Sequence, residues 1–177
     1  MEIWDMYNED RVKTGKTKER GSLIENGEYH IVVHVCIFNF KGEMLIQQRQ
    51  PFKNSYPNMW DVTVGGCAIS GDSSQEAAER ELFEEIGYKV SFEHIRPHLT
   101  ISFDKGFDDF YLVERDIEID NLRLQPEEVK QVKWASEKEI IGILEIGEFI
   151  PYHKNLINLL FNMRFAYGSQ TAKDEWS

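Results

Sequence analysis

The stretch Gly66-Cys67-Ala68-Ile69-Ser70-Gly71-Asp72-Ser73-Ser74-Gln75-Glu76-Ala77-Ala78-Glu79-Arg80-Glu81-Leu82-Phe83-Glu84-Glu85-Ile86-Gly87-Tyr88 decides how this chain is read. It opens on a glycine-rich strand end and runs into a helix. Ser73, with Glu76 three residues on, forms a capping box that satisfies two otherwise free amides at the helix start. Gly87 can take the left-handed conformation and stop the helix. At about 100° per residue, Glu81, Glu84 and Glu85 fall within an arc of roughly 100°. Ala78, Leu82, Phe83 and Ile86 occupy other parts of the surface, mostly the opposite side. Three crowded carboxylates repel one another near neutral pH unless a cation sits among them, and a set of oxygen donors suits Mg²⁺ or Mn²⁺. The competing explanation is a solvated acidic face. Arg80 speaks against it, because a cation one turn before Glu84 is the weaker sign order for helix stability.

With these residues in place, the chain resembles the Nudix hydrolase family. Gly66, Arg80, Glu81, Leu82, Glu84, Glu85 and Gly87 match its signature at the right spacings, and Tyr88 fills the last apolar slot loosely. Asp72 stands where the signature has a glutamate, one methylene shorter. The resemblance implies an α/β fold, the Nudix α/β/α sandwich with a mixed sheet between helices, and metal-dependent cleavage of a phosphoanhydride. It also supports Glu81, Glu84 and Glu85 as metal ligands, and Glu84, Glu85 and Arg80 as members of the catalytic group.

Composition agrees with a single domain over residues 1–177. The 177 residues are 41% hydrophobic, enough for a packed core and too many for a disordered chain. The net charge of −11 argues against polymeric nucleic acid as a partner, since phosphate backbones require concentrated Lys and Arg. A small phosphorylated substrate, a nucleotide by expectation, stays compatible if a metal reverses the local sign. Cys36 and Cys67 have no zinc or disulfide spacing. No apolar run reaches the roughly 18 residues of a membrane span, and no signal-peptide pattern opens the chain. A cytoplasmic location is therefore the default expectation.

Outward from the signature, residues 1–28 read as a polar extension with a turn at Thr14-Gly15-Lys16-Thr17. His30 to Phe38 reads as a buried strand. Asn39 to Gly42 is a hairpin turn, followed by a strand from Glu43 to Arg49, a loop over 50–59, and one strand from Trp60 to Gly65. Tyr88 to Phe92 reads as a short strand. Pro97 to Phe103 and Phe107 to Glu114 form a hairpin, and Val129 to Trp134 a further strand. Ser136 and Glu139 repeat the capping box before a helix to about Leu144. Pro151 to Phe165 carries an amphipathic helix, and the tail over 168–177 reads as frayed. Apolar residues in 141–165 are a candidate homodimer surface.

Phosphoanhydride hydrolysis also needs a proton acceptor for water. Glu128, beside Glu127 in a turn before a strand, is the candidate, with Asp108 and Asp109 behind it. For the substrate, Arg49 and Lys53 are candidate phosphate partners, Gly66 a point of close approach, and Trp60 a candidate stacking ring beside Phe52, Tyr56, Phe107 and Tyr111. Aromatics on strands are more often core.

Residues 3–67 also resemble type 1 isopentenyl-diphosphate isomerase, a subgroup that shares the Nudix fold. The likeness lies in His30 to Gly42, Gln47-Gln48-Arg49 and Pro57-Asn58-Met59-Trp60. The resemblance implies a cysteine before the signature and a metal held by histidines and glutamates. The cysteine falls on Gly65. Of three histidines only His30 is matched, the others falling near Leu23 and on Cys67. The acidic pair falls near Phe107 and Asp109. Hydrolysis is thus the leading reading; isomerisation and a non-catalytic nucleotide-binding domain are the alternatives.

Overall fold

A computed structural model describes residues 2–165 and 167–169. The N-terminal extension folds as an antiparallel pair, β1 (Ile3–Tyr7) and β2 (Lys13–Glu19). Its turn lies at Asn8–Arg11, where the Asn8 carbonyl accepts from Arg11 and its side chain from Asp10 and Val12. The turn expected at Thr14–Thr17 is instead inside β2. That strand is exposed along nearly its whole length, so no alternation of buried residues marks it as a strand.

The main sheet holds β3 (His30–Phe38), β4 (Met44–Arg49), β5 (Trp60–Asp61), β6 (Val64–Cys67), β7 (Leu99–Phe103), β8 (Gly106–Glu114) and β9 (Val129–Ala135). The spatial order is β5-β4-β3-β8-β7, with β6 on β3 and β9 on β4. β3 runs parallel to β8 and antiparallel to β4 and β6, so the sheet is mixed. Helix α1 (Ser74–Ile86) covers one face, against Val33, Val35 and Ile37. Helices α2 (Glu137–Glu145) and α3 (Lys154–Met163) cover the other, against Cys36 and Phe38. Burial of β3 on both faces explains its near-continuous apolar run, and the layers form the expected α/β/α sandwich.

The sheet forks, and the fork positions the site. β3 meets β4 only at Phe38 and Met44, then pairs with β6 through Val32–Val35. At the divergence the Thr63 hydroxyl accepts from the Ile37 amide at 2.9 Å and donates to the Leu45 carbonyl. The single strand expected from Trp60 to Gly65 is therefore two short strands with Val62 and Thr63 between them. No strand forms over Tyr88–Phe92. The Phe92 amide donates to the Glu79 carboxylate, so its hydrogen bond is satisfied without a sheet. The 141–165 segment turns Ile157, Leu160 and Phe161 into the core and leaves Ile146, Leu159 and Phe165 exposed. Of the expected frayed tail, residues 170–177 lie outside the described residues. Among the described residues no helix is long and apolar enough to cross a membrane.

Candidate active site

Helix α1 is built by local signals. Ser73 caps it, Glu76 closes the box, and Gly87 ends it at φ 69° with its amide on the Phe83 carbonyl. Beyond that end, the amides of Arg123 and Gln125 donate to the carbonyls of Ile86 and Glu85. That contact brings the 123–128 segment, including Gln125 and Glu128, to the helix and to a shared cavity of about 560 Å³.

Glu81, Glu84 and Glu85 all line this cavity, in three different settings. Glu85 is buried and accepts from Gln47 Nε2 at 2.7 Å. Burial pushes its carboxyl well above the usual range, the Glu81 charge adds to this, and the Gln47 contact opposes it. Burial also raises Glu81, with Arg80 pulling the other way. Glu84 is half exposed at the rim. Arg80 stands behind the carboxylates. Its guanidinium reaches Asp72 (3.0 Å), Glu81 (2.8 Å), Glu84 (3.2 Å) and the Cys67 carbonyl (2.9 Å). The shorter Asp72 thus still pairs with Arg80 across the signature loop.

Gly66 is a steric requirement of this arrangement. A Cβ there would sit 2.1–2.5 Å from the Glu81 carboxyl atoms, far inside contact distance. The carboxylate occupies the space that any other residue's side chain would fill.

Among the described residues no three His, Cys, Asp or Glu side chains stand already gathered as a metal cluster. Glu81 and Glu84 turn toward Arg80, and Glu85 toward Gln47. The donor set still fits a hard divalent cation. All three groups are oxygen donors in one cavity, and Glu85 is a buried carboxylate whose only described side-chain partner is a neutral amide.

The other expected residues divide. Arg49, Lys53, Gly66 and Glu128 line the cavity, and Lys53 Nζ pairs with Glu128. Tyr56 lines it as well. Trp60 does not reach it. Successive strand residues point to opposite faces, so Asp61 faces the cavity while Trp60 is buried in the core with Lys133 Nζ 4.7 Å from its ring centroid. Phe107 and Tyr111 are core residues and Phe52 is exposed away from the cavity. Asp109 is fully buried and held by Arg11, Ser74 and Thr100, which removes it as a proton acceptor. Its neighbour Asp108 faces the cavity.

Sequence reasoning missed Glu2, Arg20, His34, Asp61 and Tyr152 as lining residues. Arg20 and Glu2 come from the polar extension and pair at 2.9–3.0 Å. The one available signal for Asp61 is an acidic residue inside an apolar strand. His34, inside the apolar run of β3, carries no comparable signal.

The constellation the isomerase resemblance implies is not assembled. Gly65 offers no side chain, and burial pushes the Cys67 thiol up to about 12. His30 stacks on Trp4 at 4.5 Å and bonds the Lys105 carbonyl.

Comparison with known proteins agrees with this geometry. The NUDIX domain profile matches residues 28–160. The chain is 44% identical over 166 residues to an uncharacterised Nudix hydrolase of Listeria monocytogenes, covering 94% of this chain and 97% of that one. It is 26% identical over 142 residues to an isopentenyl-diphosphate Delta-isomerase of Pectobacterium atrosepticum, covering 76% of each. The crystal structure of a Deinococcus radiodurans protein superposes with a TM-score of 0.71 at 25% identity, covering 91% of this chain and 98% of that one.

Proposed function

The chain belongs to the Nudix family and is a hydrolase of the pyrophosphohydrolase type, and from that premise we propose that it cleaves the phosphoanhydride of a nucleoside diphosphate, free or joined to a further moiety, with Mg²⁺ or Mn²⁺ as cofactor. The observation that supports this reading is the meeting of Glu81, Glu84 and Glu85 with Arg49 and Lys53 in one cavity. Its volume suits a nucleotide-sized ligand.

In this reading Glu81, Glu84 and Glu85 hold the cation. When bound, the cation neutralises the anhydride and polarises the phosphoryl group. Arg80 orients Glu81 and Glu84 from behind and takes no part in the bond change. Gly66 keeps the Glu81 carboxylate seated against β6. Arg49 and Lys53 offset phosphate charge that the acidic cavity would otherwise repel. Glu128 holds Lys53 and is the candidate acceptor for the proton of the attacking water, the role that Glu128→Gln tests.

Glu85→Gln is the decisive variant for the whole reading. It keeps the side chain's shape beside Gln47 and removes a cation ligand. Mg²⁺-dependent release of phosphate or nucleoside monophosphate is expected to fall by at least about 100-fold, in line with the loss of a main electrostatic stabiliser, with the circular dichroism spectrum unchanged. Undiminished turnover in that variant would overturn the assignment. Incubation with isopentenyl diphosphate is expected to yield no dimethylallyl diphosphate.

A further inference from the structure

Phe103, Tyr152 and Tyr56 bring phenyl rings to the cavity, and the first two are already committed to neighbours. Phe103 meets His30 edge-on, with ring centroids 5.6 Å apart. Tyr152 meets His34 edge-on at 6.0 Å and donates its hydroxyl proton to Asp61 at 2.9 Å. Tyr56 differs. It is 46% exposed, and among the described residues no other ring or cation lies over it. A ring left uncovered in a cavity departs from the usual burial of aromatic side chains.

The backbone under that ring is held where the local sequence would not put it. Tyr56 has φ +48° and Asn58 has φ +61°, both in the left-handed region. A bulky residue is rarely found there, and Pro57 directly after Tyr56 favours an extended conformation instead. Contacts around the loop impose it. The Asn58 amide donates to the Gln50 carbonyl at 3.3 Å, and Gln48 Nε2 donates to the Asn58 carbonyl at 2.8 Å. Lys130 Nζ reaches Asn58 Oδ1 at 2.9 Å. Gln50 is itself fixed, its amide on the Glu128 carbonyl at 3.0 Å and its Nε2 on the Pro126 carbonyl at 2.9 Å. Strained backbone persists only where its surroundings over-determine it, and it gathers at ligand sites.

The same loop carries the candidate phosphate partners. Lys53 is three residues before Tyr56, so their Cα atoms are at most about 11 Å apart. Arg49 Nε donates to the Ser55 carbonyl at 3.2 Å, next to Tyr56, and its two terminal nitrogens bond no described residue. That tie leaves the end of the guanidinium for a phosphate. Segment 148–151 docks beside the loop, where Trp60 donates to the Glu148 carbonyl and Ile150 to the Trp60 carbonyl, both at 2.8 Å. Ile150 and Pro151 add apolar surface to the same cavity.

We propose that Tyr56 is the stacking platform for an aromatic base, so that the site selects nucleotides over phosphorylated molecules without a ring. The proposal rests on the hydrolase reading for the placing of the phosphates near α1. Stacking on one aromatic side chain tolerates any base. Tyr56 therefore sets the class of substrate and leaves the choice among bases to other contacts.

Calorimetric titration of the intact protein with AMP and with ribose 5-phosphate, each in Mg²⁺, compares one phosphate with and without a base. AMP is expected to bind at least about tenfold more tightly, the scale of one base–aromatic stack. Tyr56→Phe should keep that margin. Tyr56→Gly removes the ring and accepts the left-handed backbone without strain. It should erase the margin, leave ribose 5-phosphate binding as in the parent, and melt no lower than the parent. Equal binding of the two ligands by the parent, no binding of AMP, or a margin that survives Tyr56→Gly would overturn the proposal. Loss of both ligands with a lower melting temperature in Tyr56→Gly would overturn it too, by making the ring a packing residue. Metal-dependent hydrolysis of ADP and inorganic tripolyphosphate at equal kcat/KM would overturn it while leaving the hydrolase reading intact. Tyr56-dependent AMP binding without any turnover of ADP would overturn the hydrolase reading alone.

Discussion

Helix α1 and the N-terminal extension, through Glu2 and Arg20 at the open end of the β1–β2 hairpin, both line the cavity, and they are built by opposite means. The helix carries its own instructions within fifteen residues: a cap, a box, an apolar stripe of Ala78, Leu82 and Ile86, and a terminating glycine. The hairpin has almost no apolar face on β2 and is held by partners far along the chain. Arg11 pairs with buried Asp109, Asp5 accepts from Ser70 and Gly71 of the signature loop, and Tyr7 exchanges amide bonds with Tyr29. The contrast shows that one cavity can be walled by a locally encoded element on one side and by an element held through long-range polar contacts on the other.

Breaking the locally encoded side should cost function before stability. Gly66→Ala places a methyl where the Glu81 carboxyl lies, and the end of a flexible side chain can swing away. The expected result is a fall of at least about 100-fold in metal-dependent kcat/KM, the scale of one lost electrostatic stabiliser, with a melting temperature close to that of the parent. A large drop in melting temperature with normal activity would show that Gly66 serves packing instead.

Breaking the long-range side should do the reverse. Arg11→Ala leaves Asp109 buried with only the hydroxyls of Ser74 and Thr100 beside it. Removing one partner of a buried pair costs about 3 kcal/mol, here toward the lower end because Arg11 is partly exposed. Urea titration is expected to show that loss, with activity reduced far less than in Gly66→Ala. An unchanged midpoint would mean the hairpin is held by other contacts.

The smallest expected effect lies at Glu28, which closes the extension. Hydrogen bonds from Lys18 and then Lys16 hold its carboxyl down at about 2, against an ordinary value of 4.5. A depressed carboxylate stabilises the fold fully above its unfolded value and loses that contribution as pH falls through its folded value. The stability gap between the parent and Glu28→Gln should therefore be constant above about pH 5 and close between pH 4.5 and 2. A gap that widens on acidification would contradict the pairing.

The same contrast explains what was legible. Both capping boxes, α1 from end to end, the long strands and the hairpin of β7 and β8 follow from short-range patterns. The strand expected over Tyr88–Phe92 failed because composition does not say whether a sheet edge is within reach. Glu79 took the Phe92 amide instead. Trp60 was misplaced because a two-residue strand carries no periodicity to say which side chain faces in.

The sequence by itself determined the family, the layered fold and the setting of Glu81, Glu84 and Glu85 on one helix. The spacing of residues on one helix is set by covalent geometry and needs no partner. Only the tertiary structure decided that β3 and β4 part at Thr63, that a side chain at Gly66 would meet Glu81 while one at Gly65 would meet His34, and that Arg20, His34, Asp61 and Tyr152 share the cavity with α1. Those facts depend on strand pairing between segments dozens of residues apart, where one step of register exchanges the two faces of the sheet.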